Sequence, residues 1–481
     1  LKRIVAIFII ALALLFPVTA FAQVTPFDES KATAGTVLLF NADTGQEIFT
    51  KNADAKIYPA STTKLMTALV AIENGILDDN VKVGEEVTAF TSDSSLMGLK
   101  AGETIPGRDL VYGMLLESGN DAAAATAVYI GGSVEEFANM MNMKALELGM
   151  TDTHFVNPHG IQDDNHYTTG ADMKKLVEAA YQNKDLMEIA GTKIYTVQPT
   201  DLVTEPRELK NTNKLIYTNP EKPDDAQYYY EYATGMKTGY TVAANGCLVA
   251  SASKDDLNLI ALVFCDPSEL GVNRWGMAKE LFEYGFANYQ NVSASDIMQG
   301  YSVNETISNP AENDPEAGVL TLTADLASDQ VVMLSNDQVA ELQNGTLNLS
   351  DQVNLTHSLT LTDTVRAGDE FGTVDFTLPD GTSLGTATLV ASRDMYKLGD
   401  EKLQSQALGD SSIEFSSVVD TLGNNPAVLW WLLVPAGIIV LLLLRSMMAT
   451  RQSSHYRRAA APKYYYRRPT YRKLRYKGRY R

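Results

Sequence analysis

Ser61-Thr62-Thr63-Lys64 places a hydroxyl and a primary amine three residues apart at what reads as the start of a helix. Positions i and i+3 share a helix face, so Lys64 can reach Ser61 without leaving its own element. The positive end of the helix dipole favours an alkoxide developing on Ser61. A lysine acts as a base only when neutral, and burial or a nearby cation would lower its pKa. The chemistry on offer is attack on a carbonyl through a covalent intermediate. Taken alone, a Ser-x-x-Lys spacing recurs roughly once or twice by chance in a chain this long.

Two further segments change its weight. Ser118-Gly119-Asn120 falls in a break between helical patterns, where a second hydroxyl and an amide can project into a cleft. Lys237-Thr238-Gly239 opens a strand pattern, and its glycine lets a ligand lie close along the strand edge. Read singly, the first is a glycine-containing loop and the second an edge strand with a protective lysine. His154, His159 and His166 cluster in sequence, but no His-Glu-x-x-His helix accompanies them. A zinc peptidase is therefore a rival reading, and no metal site is assigned.

The elements that must position these residues are legible from patterning. Residues 35–50 read as a hairpin turning at Asp43-Thr44-Gly45. Leu65, Met66, Leu69, Val70 and Ile72 make the apolar face of a helix from Ser61 that ends at Asn74-Gly75. Further helices are expected over Arg108–Leu116, from Asn120, and from the capping box at Ser133 to Gly149. Cys247–Ala252 and Leu257–Phe264 are apolar strands, followed by a helix over Trp275–Phe286. Strands first, helices in the middle, then strands and a last helix give a mixed α/β fold with helices covering a sheet. After Asn291 short runs rich in Val, Thr and Leu alternate with turns such as Asn344-Gly345, as in a small all-β domain. No internal repeat is present.

Together and in this order, the three motifs resemble the signature set of the penicillin-interacting serine peptidases. Their surroundings are similar to the low-molecular-mass D-alanyl-D-alanine carboxypeptidases: Tyr58-Pro59-Ala60 before Ser61, Glu117 and Asp121-Ala122 around Ser118-Gly119-Asn120, Gly235-Met236 and Tyr240-Thr241 around Lys237-Thr238-Gly239. Phe155-Val156-Asn157-Pro158-His159-Gly160 and His166-Tyr167-Thr168-Thr169 extend the likeness, which covers roughly residues 25–290. The β-rich segment to about Ser392 is similar to that family's accessory domain.

The resemblance implies an antiparallel sheet covered by helices and a peptidase without cofactor. Ser61 would be the nucleophile and Lys64 its base; Ser118 and Lys237 would pass a proton to the leaving amine. The N–H groups of Ser61 and Tyr240 would form the oxyanion hole, and Asn120 would orient the substrate amide. Gly239 lies in the same motif, while Thr238 and Arg274 would hold the terminal carboxylate. The implied partners are peptidoglycan stem peptides, from which D-alanine is removed, and β-lactams as covalent inhibitors. A class A β-lactamase shares the motifs, but no Glu-x-x-Leu-Asn element is present to deacylate it. A D,D-endopeptidase and a non-enzymatic wall-binding scaffold are the other rivals.

The two ends bear on location. Lys2-Arg3, an apolar run over Ile4–Phe16 and Ala20-Phe21-Ala22 form a secretory signal over residues 1–22. The expected order is then a catalytic domain at 23–290, the β-domain at 291–397, a linker at 398–426 and a transmembrane helix at 427–444. Those last 18 residues, at 1.5 Å each, span about 27 Å, enough for a hydrocarbon core. Residues 445–481 hold thirteen Lys or Arg and no acid, which places this tail in the cytoplasm and the catalytic domain outside. The net charge of −20 hides that split, since the rest of the chain carries 26 basic against 59 acidic residues. So acidic an ectodomain argues against nucleic-acid binding. Cys247 and Cys265 lie on the two adjoining strands, either free or bridged. Nothing in the sequence specifies an oligomeric state.

Overall fold

The computed structural model describes residues 25–91, 94–217, 223–298, 300–325, 331–347, 349–378 and 381–399. The residues expected to form the export signal (1–22), the apolar span (427–444) and the basic tail (445–481), and all but the first two of those expected to form the linker (398–426), lie outside them.

A five-stranded sheet organises the first part of the chain. Its strands are β1 (Thr36–Asn41), β2 (Glu47–Lys51), β3 (Ala233–Thr241), β4 (Asn245–Lys254) and β5 (Leu257–Asp266). They lie in the order β2-β1-β5-β4-β3, antiparallel throughout, so β3 is an edge. The apolar runs of β1, β4 and β5 are unbroken rather than alternating because both faces of the sheet are covered. Leu38, Phe40, Val249, Ile260 and Leu262 enter one core with the helices of the middle segment. Val37, Leu39, Leu248, Ala261 and Val263 enter the other with Trp275, Leu281 and Phe282.

The first face carries α1 (Lys64–Glu73), α2 (Gly107–Leu115), α3 (Asn120–Gly131), α4 (Val134–Glu147), α5 (Gly170–Gln182) and α6 (Lys184–Gly191); the second carries α7 (Asn273–Asn288). Ser133 caps α4 through Glu136 N–H at 3.1 Å. Ser61 departs slightly from expectation: it lies in a 3₁₀ turn, Ala60–Thr63, that leads into α1. Cys247 and Cys265 are free thiols.

Beyond α7 come β6 (Tyr289–Ser293), β7 (Ser302–Thr306), β8 (Val319–Asp325), β9 (Val331–Ser335), α8 (Asn336–Gln343), β10 (Ser350–Leu355), β11 (Glu370–Thr377) and β12 (Ser383–Ala391). A second antiparallel sheet runs β7-β8-β12-β11-β10, and β6 pairs with β9. This part is β-rich rather than all-β. Ser335 and Gln338 form a reciprocal capping box that starts α8, a signal that the Val/Thr-rich texture around it concealed. Two compact units are present. The larger takes in the described residues through Ser308, with Val319–Leu361 and Val365–Asp394. Asn309–Gly318, Thr362–Thr364 and the described residues from Met395 form the smaller, in which Pro310 bridges to Lys397.

Candidate active site

The turn before α1 brings Ser61 to the edge strand. Gly239 of β3 lies so close that a Cβ there would sit 3.0 Å from Ser61 N and 3.2 Å from Pro59 O. Glycine is what lets the strand approach the nucleophile's backbone. Ala60, immediately before Ser61, has φ of +47°, and Ser118 has φ of +61°. Left-handed non-glycine residues are uncommon and collect at functional sites, where surrounding contacts hold the strain.

Lys64 is fully buried, and its Nζ has three hydrogen-bond partners. They are Ser61 Oγ at 3.0 Å, Asn120 Oδ1 at 2.8 Å and the His159 carbonyl at 2.8 Å. None is a carboxylate. Burial first, then the charge of Lys237, hold the Lys64 ammonium well below its ordinary pKa, with Asp121 opposing. A neutral amine has two N–H groups and one lone pair. Asn120 and His159 offer only acceptors, so they take the two N–H groups, which leaves the lone pair facing the Ser61 hydroxyl.

The loop joining α2 to α3 supplies Ser118, and the first residue of α3 is Asn120; both are buried. Its flanks are tied down: Glu117 Oε1 accepts from Lys210 N at 2.6 Å, and Leu116 O accepts from Thr212 N at 3.1 Å. Asp121 accepts from the N–H groups of Met97, Gly98 and Leu99 at 2.9–3.0 Å, fixing a second loop beside Asn120. An acidic first-turn residue reads in sequence as a helix-dipole partner, so this clamp was not legible there.

On β3, Lys237 is 1% exposed and Thr238 is 7% exposed. Burial, reinforced by Arg274 and opposed by Glu117, pushes the Lys237 pKa down to about 7. Thr238 Oγ1 meets Thr212 Oγ1 at 2.8 Å, a partner that no sequence motif announced. Tyr240, the residue after Gly239 on β3, is 41% exposed. Arg274, the second residue of α7, packs its guanidinium against Gly246 of β4, with Nη1 within hydrogen-bond reach of the Gly271 carbonyl and donating to Leu270 O at 2.9 Å. Its Nε is buried and, among the described residues, has no partner.

The three histidines hold loops. His166 Nδ1 accepts from Val156 N–H at 3.2 Å, which puts the ring proton on Nε2, 2.8 Å from Thr63 Oγ1. His154 Nδ1 lies 2.7 Å from Asn165 O. His159 Nδ1 accepts from Ile161 N at 3.2 Å, while its carbonyl serves Lys64. Burial, with Lys64 nearby, takes the His159 pKa down to about 3; burial takes that of His166 to about 4. Asn157 Oδ1 accepts from Gly160 N at 2.7 Å, shaping the turn that aims the His159 carbonyl. Gly160 has φ of +82°, and a Cβ there would lie 1.8 Å from Ala60 O.

A hydroxyl and a buried amine whose hydrogen-bond partners are all uncharged thus meet beside the edge strand β3, which carries a second, depressed lysine, while buried Ser118 lies two residues from the Asn120 that touches the amine. Such an arrangement can transfer an acyl group to a serine. Residues 22–268 match the D-alanyl-D-alanine carboxypeptidase family of serine peptidases, family S11. The D-alanyl-D-alanine carboxypeptidase DacF of Bacillus subtilis is 29% identical over 85% of this chain and 99% of its own length. DacC of Escherichia coli is 32% identical over 59% of this chain and 68% of its own. The crystal structure of penicillin binding protein 5 from Haemophilus influenzae superimposes with a TM-score of 0.55 at 27% identity, covering 78% of this chain and all of that one. Family, catalytic fold and β-rich second domain agree, and the rival β-lactamase, zinc-peptidase and scaffold readings fall away. The chain belongs to the S11 family of serine-type D-alanyl-D-alanine carboxypeptidases, which act on peptidoglycan.

Proposed function

We propose that Ser61 is the nucleophile of this carboxypeptidase and that neutral Lys64 is its base. Lys64 takes the Ser61 proton as Oγ attacks the carbonyl between the last two D-alanines of a stem peptide. The oxyanion forms between the N–H groups of Ser61 and Tyr240, on the two backbones that Gly239 allows together. Ser118 and Lys237 relay a proton to the departing D-alanine, whose carboxylate is held by Thr238 and Arg274. Asn120 has one side-chain group on Lys64 and one free for the substrate amide. Water then hydrolyses the acyl-enzyme. β-Lactams enter the same path and stop at the acyl-enzyme.

The observation that carries this reading is the Lys64 nitrogen, wedged between two carbonyls and Ser61 Oγ with no carboxylate among its hydrogen-bond partners. The test is labelling with a fluorescent penicillin, comparing wild type with Ser61→Ala. Covalent label on wild type alone is expected; an unlabelled wild type overturns the assignment. D-Alanine release from a pentapeptide, set against cleavage of a cross-linked dimer, separates carboxypeptidase from endopeptidase action.

The surrounding organisation is proposed as well. Residues 1–22 direct export, 23–290 form the catalytic domain, 291–397 the accessory domain and 398–426 a linker. The helix at 427–444 anchors the protein in the cell membrane with its basic tail in the cytoplasm. The uncharged composition of 427–444 and the thirteen cations that follow support this reading. Protease protection of the tail in sealed cells is expected, and cleavage from outside would overturn it.

A further inference from the structure

Thr212 lies outside every motif, yet it is the residue that Thr238 touches. The two hydroxyl oxygens are 2.8 Å apart, so one hydroxyl donates to the other. Thr212 is itself exposed, but the backbone on either side of it is fastened. Buried Asn211 donates from Nδ2 to Ala190 O at 3.0 Å and to Thr192 O at 2.8 Å. Buried Asn213 donates to Gly235 O of β3 at 2.9 Å. Thr212 N–H donates to Leu116 O, two residues before Ser118. An exposed threonine is thus riveted to β3 on one side and to the Ser118 loop on the other, with its hydroxyl aimed at Thr238.

We infer that Thr212 is a positioning residue for recognition of the substrate's terminal carboxylate, acting through Thr238; this rests on the proposed role of Thr238. A threonine hydroxyl rotates, and only one rotor aims its proton at a carboxylate. When Thr212 donates to Thr238 Oγ1, that oxygen's acceptor side is occupied and its own proton turns to the ligand. Without Thr212 the Thr238 rotor is free, and Thr238 can spend its proton on water or on backbone.

The test compares Thr212→Val, Thr212→Ser and Thr238→Val on a D-Ala-D-Ala peptide and on its C-terminal amide. Enzyme is kept in excess so that slow cleavage of the amide is still measured. Loss of one neutral hydrogen bond predicts that Thr212→Val lowers the acylation rate on the carboxylate substrate about three- to tenfold. The amide rate and the melting temperature should be little changed, and Thr212→Ser should recover the loss. Equal losses on both substrates would make Thr212 merely structural and overturn the inference. So would a carboxylate-selective loss in Thr238→Val that Thr212→Val does not share, which leaves the Thr238 assignment standing. Selectivity in neither variant would overturn that assignment along with the inference.

Discussion

Lys64 Nζ lies 2.8 Å from Asn120 Oδ1, a contact that joins the nucleophile's helix to the Ser118 loop through a neutral group. The neutrality matters more than the contact. Asn120→Asp keeps the shape but puts a carboxylate against the amine, which favours the ammonium form and raises the Lys64 pKa. The fraction of neutral base at pH 7 then falls. The acid limb of the pH profile for penicillin acylation should move to higher pH, with activity partly recovered in alkaline buffer. A uniform loss at every pH would show that Asn120 serves only the substrate.

Lys237 carries a stability cost that depends on pH. Its folded pKa of about 7 lies below the ordinary 10.5, so the unfolded chain binds more protons between those values. Stability therefore rises with pH across that window and is lowest below about pH 7, where the buried lysine is charged. Lys237→Met removes the cost and fills the same space. Its melting temperature should exceed that of wild type, by more at pH 6 than at pH 9, while acylation is lost. A gain that does not vary with pH would remove the electrostatic explanation.

Gly239 is the one residue of its motif whose side chain would collide with the nucleophile's turn. A methyl there, 3.0 Å from Ser61 N and 3.2 Å from Ala60 Cβ, pushes the turn away by a few tenths of an ångström. Misplacing an oxyanion donor costs on the order of tenfold to a hundredfold. Gly239→Ala should fold with little change in melting temperature yet acylate that much more slowly. Unchanged acylation would mean that the oxyanion site does not use this close approach.

The chemistry was legible in sequence because it is local. Ser61 and Lys64 are one helical turn apart, and Ser118-Gly119-Asn120 and Lys237-Thr238-Gly239 are contiguous. The sheet was legible for the same reason: β4 and β5 are long apolar runs with one tight turn between them. What escaped is held by long-range contacts that no pattern records. The His159 carbonyl on Lys64 is a backbone atom, and any residue has one. Thr212 meets Thr238 only after the chain from Leu116 to Asn213 has closed on β3. Asp121 adjoins the Ser118-Gly119-Asn120 motif, but its clamp on Met97–Leu99 joins residues more than twenty positions apart. Helix α8 was hidden because eight residues between strands leave little periodicity to read.

Glu103 and Arg207 form a second long-range device beneath the same loop. Glu103 is fully buried and accepts from Thr200 Oγ1 at 2.7 Å, from Lys100 N at 3.0 Å and from both terminal nitrogens of Arg207. Arg207 also donates to Gly98 O at 3.2 Å, within the segment that Asp121 clamps. Arg207→Met leaves a buried carboxylate without its cation, which typically costs about 3–5 kcal/mol. The denaturation midpoint in urea should fall accordingly, and acylation should slow because Asn120 N–H donates to Ser95 O of the same loop. Adding Glu103→Gln removes the stranded charge, keeps an acceptor for Lys100 N–H at the Oε2 position, and puts an amide N–H at the other position, where the Thr200 hydroxyl can accept it. The double variant should therefore be more stable than Arg207→Met alone, although neither reaches wild type. Strictly additive losses would mean that the two side chains act on the loop independently, not as an ion pair.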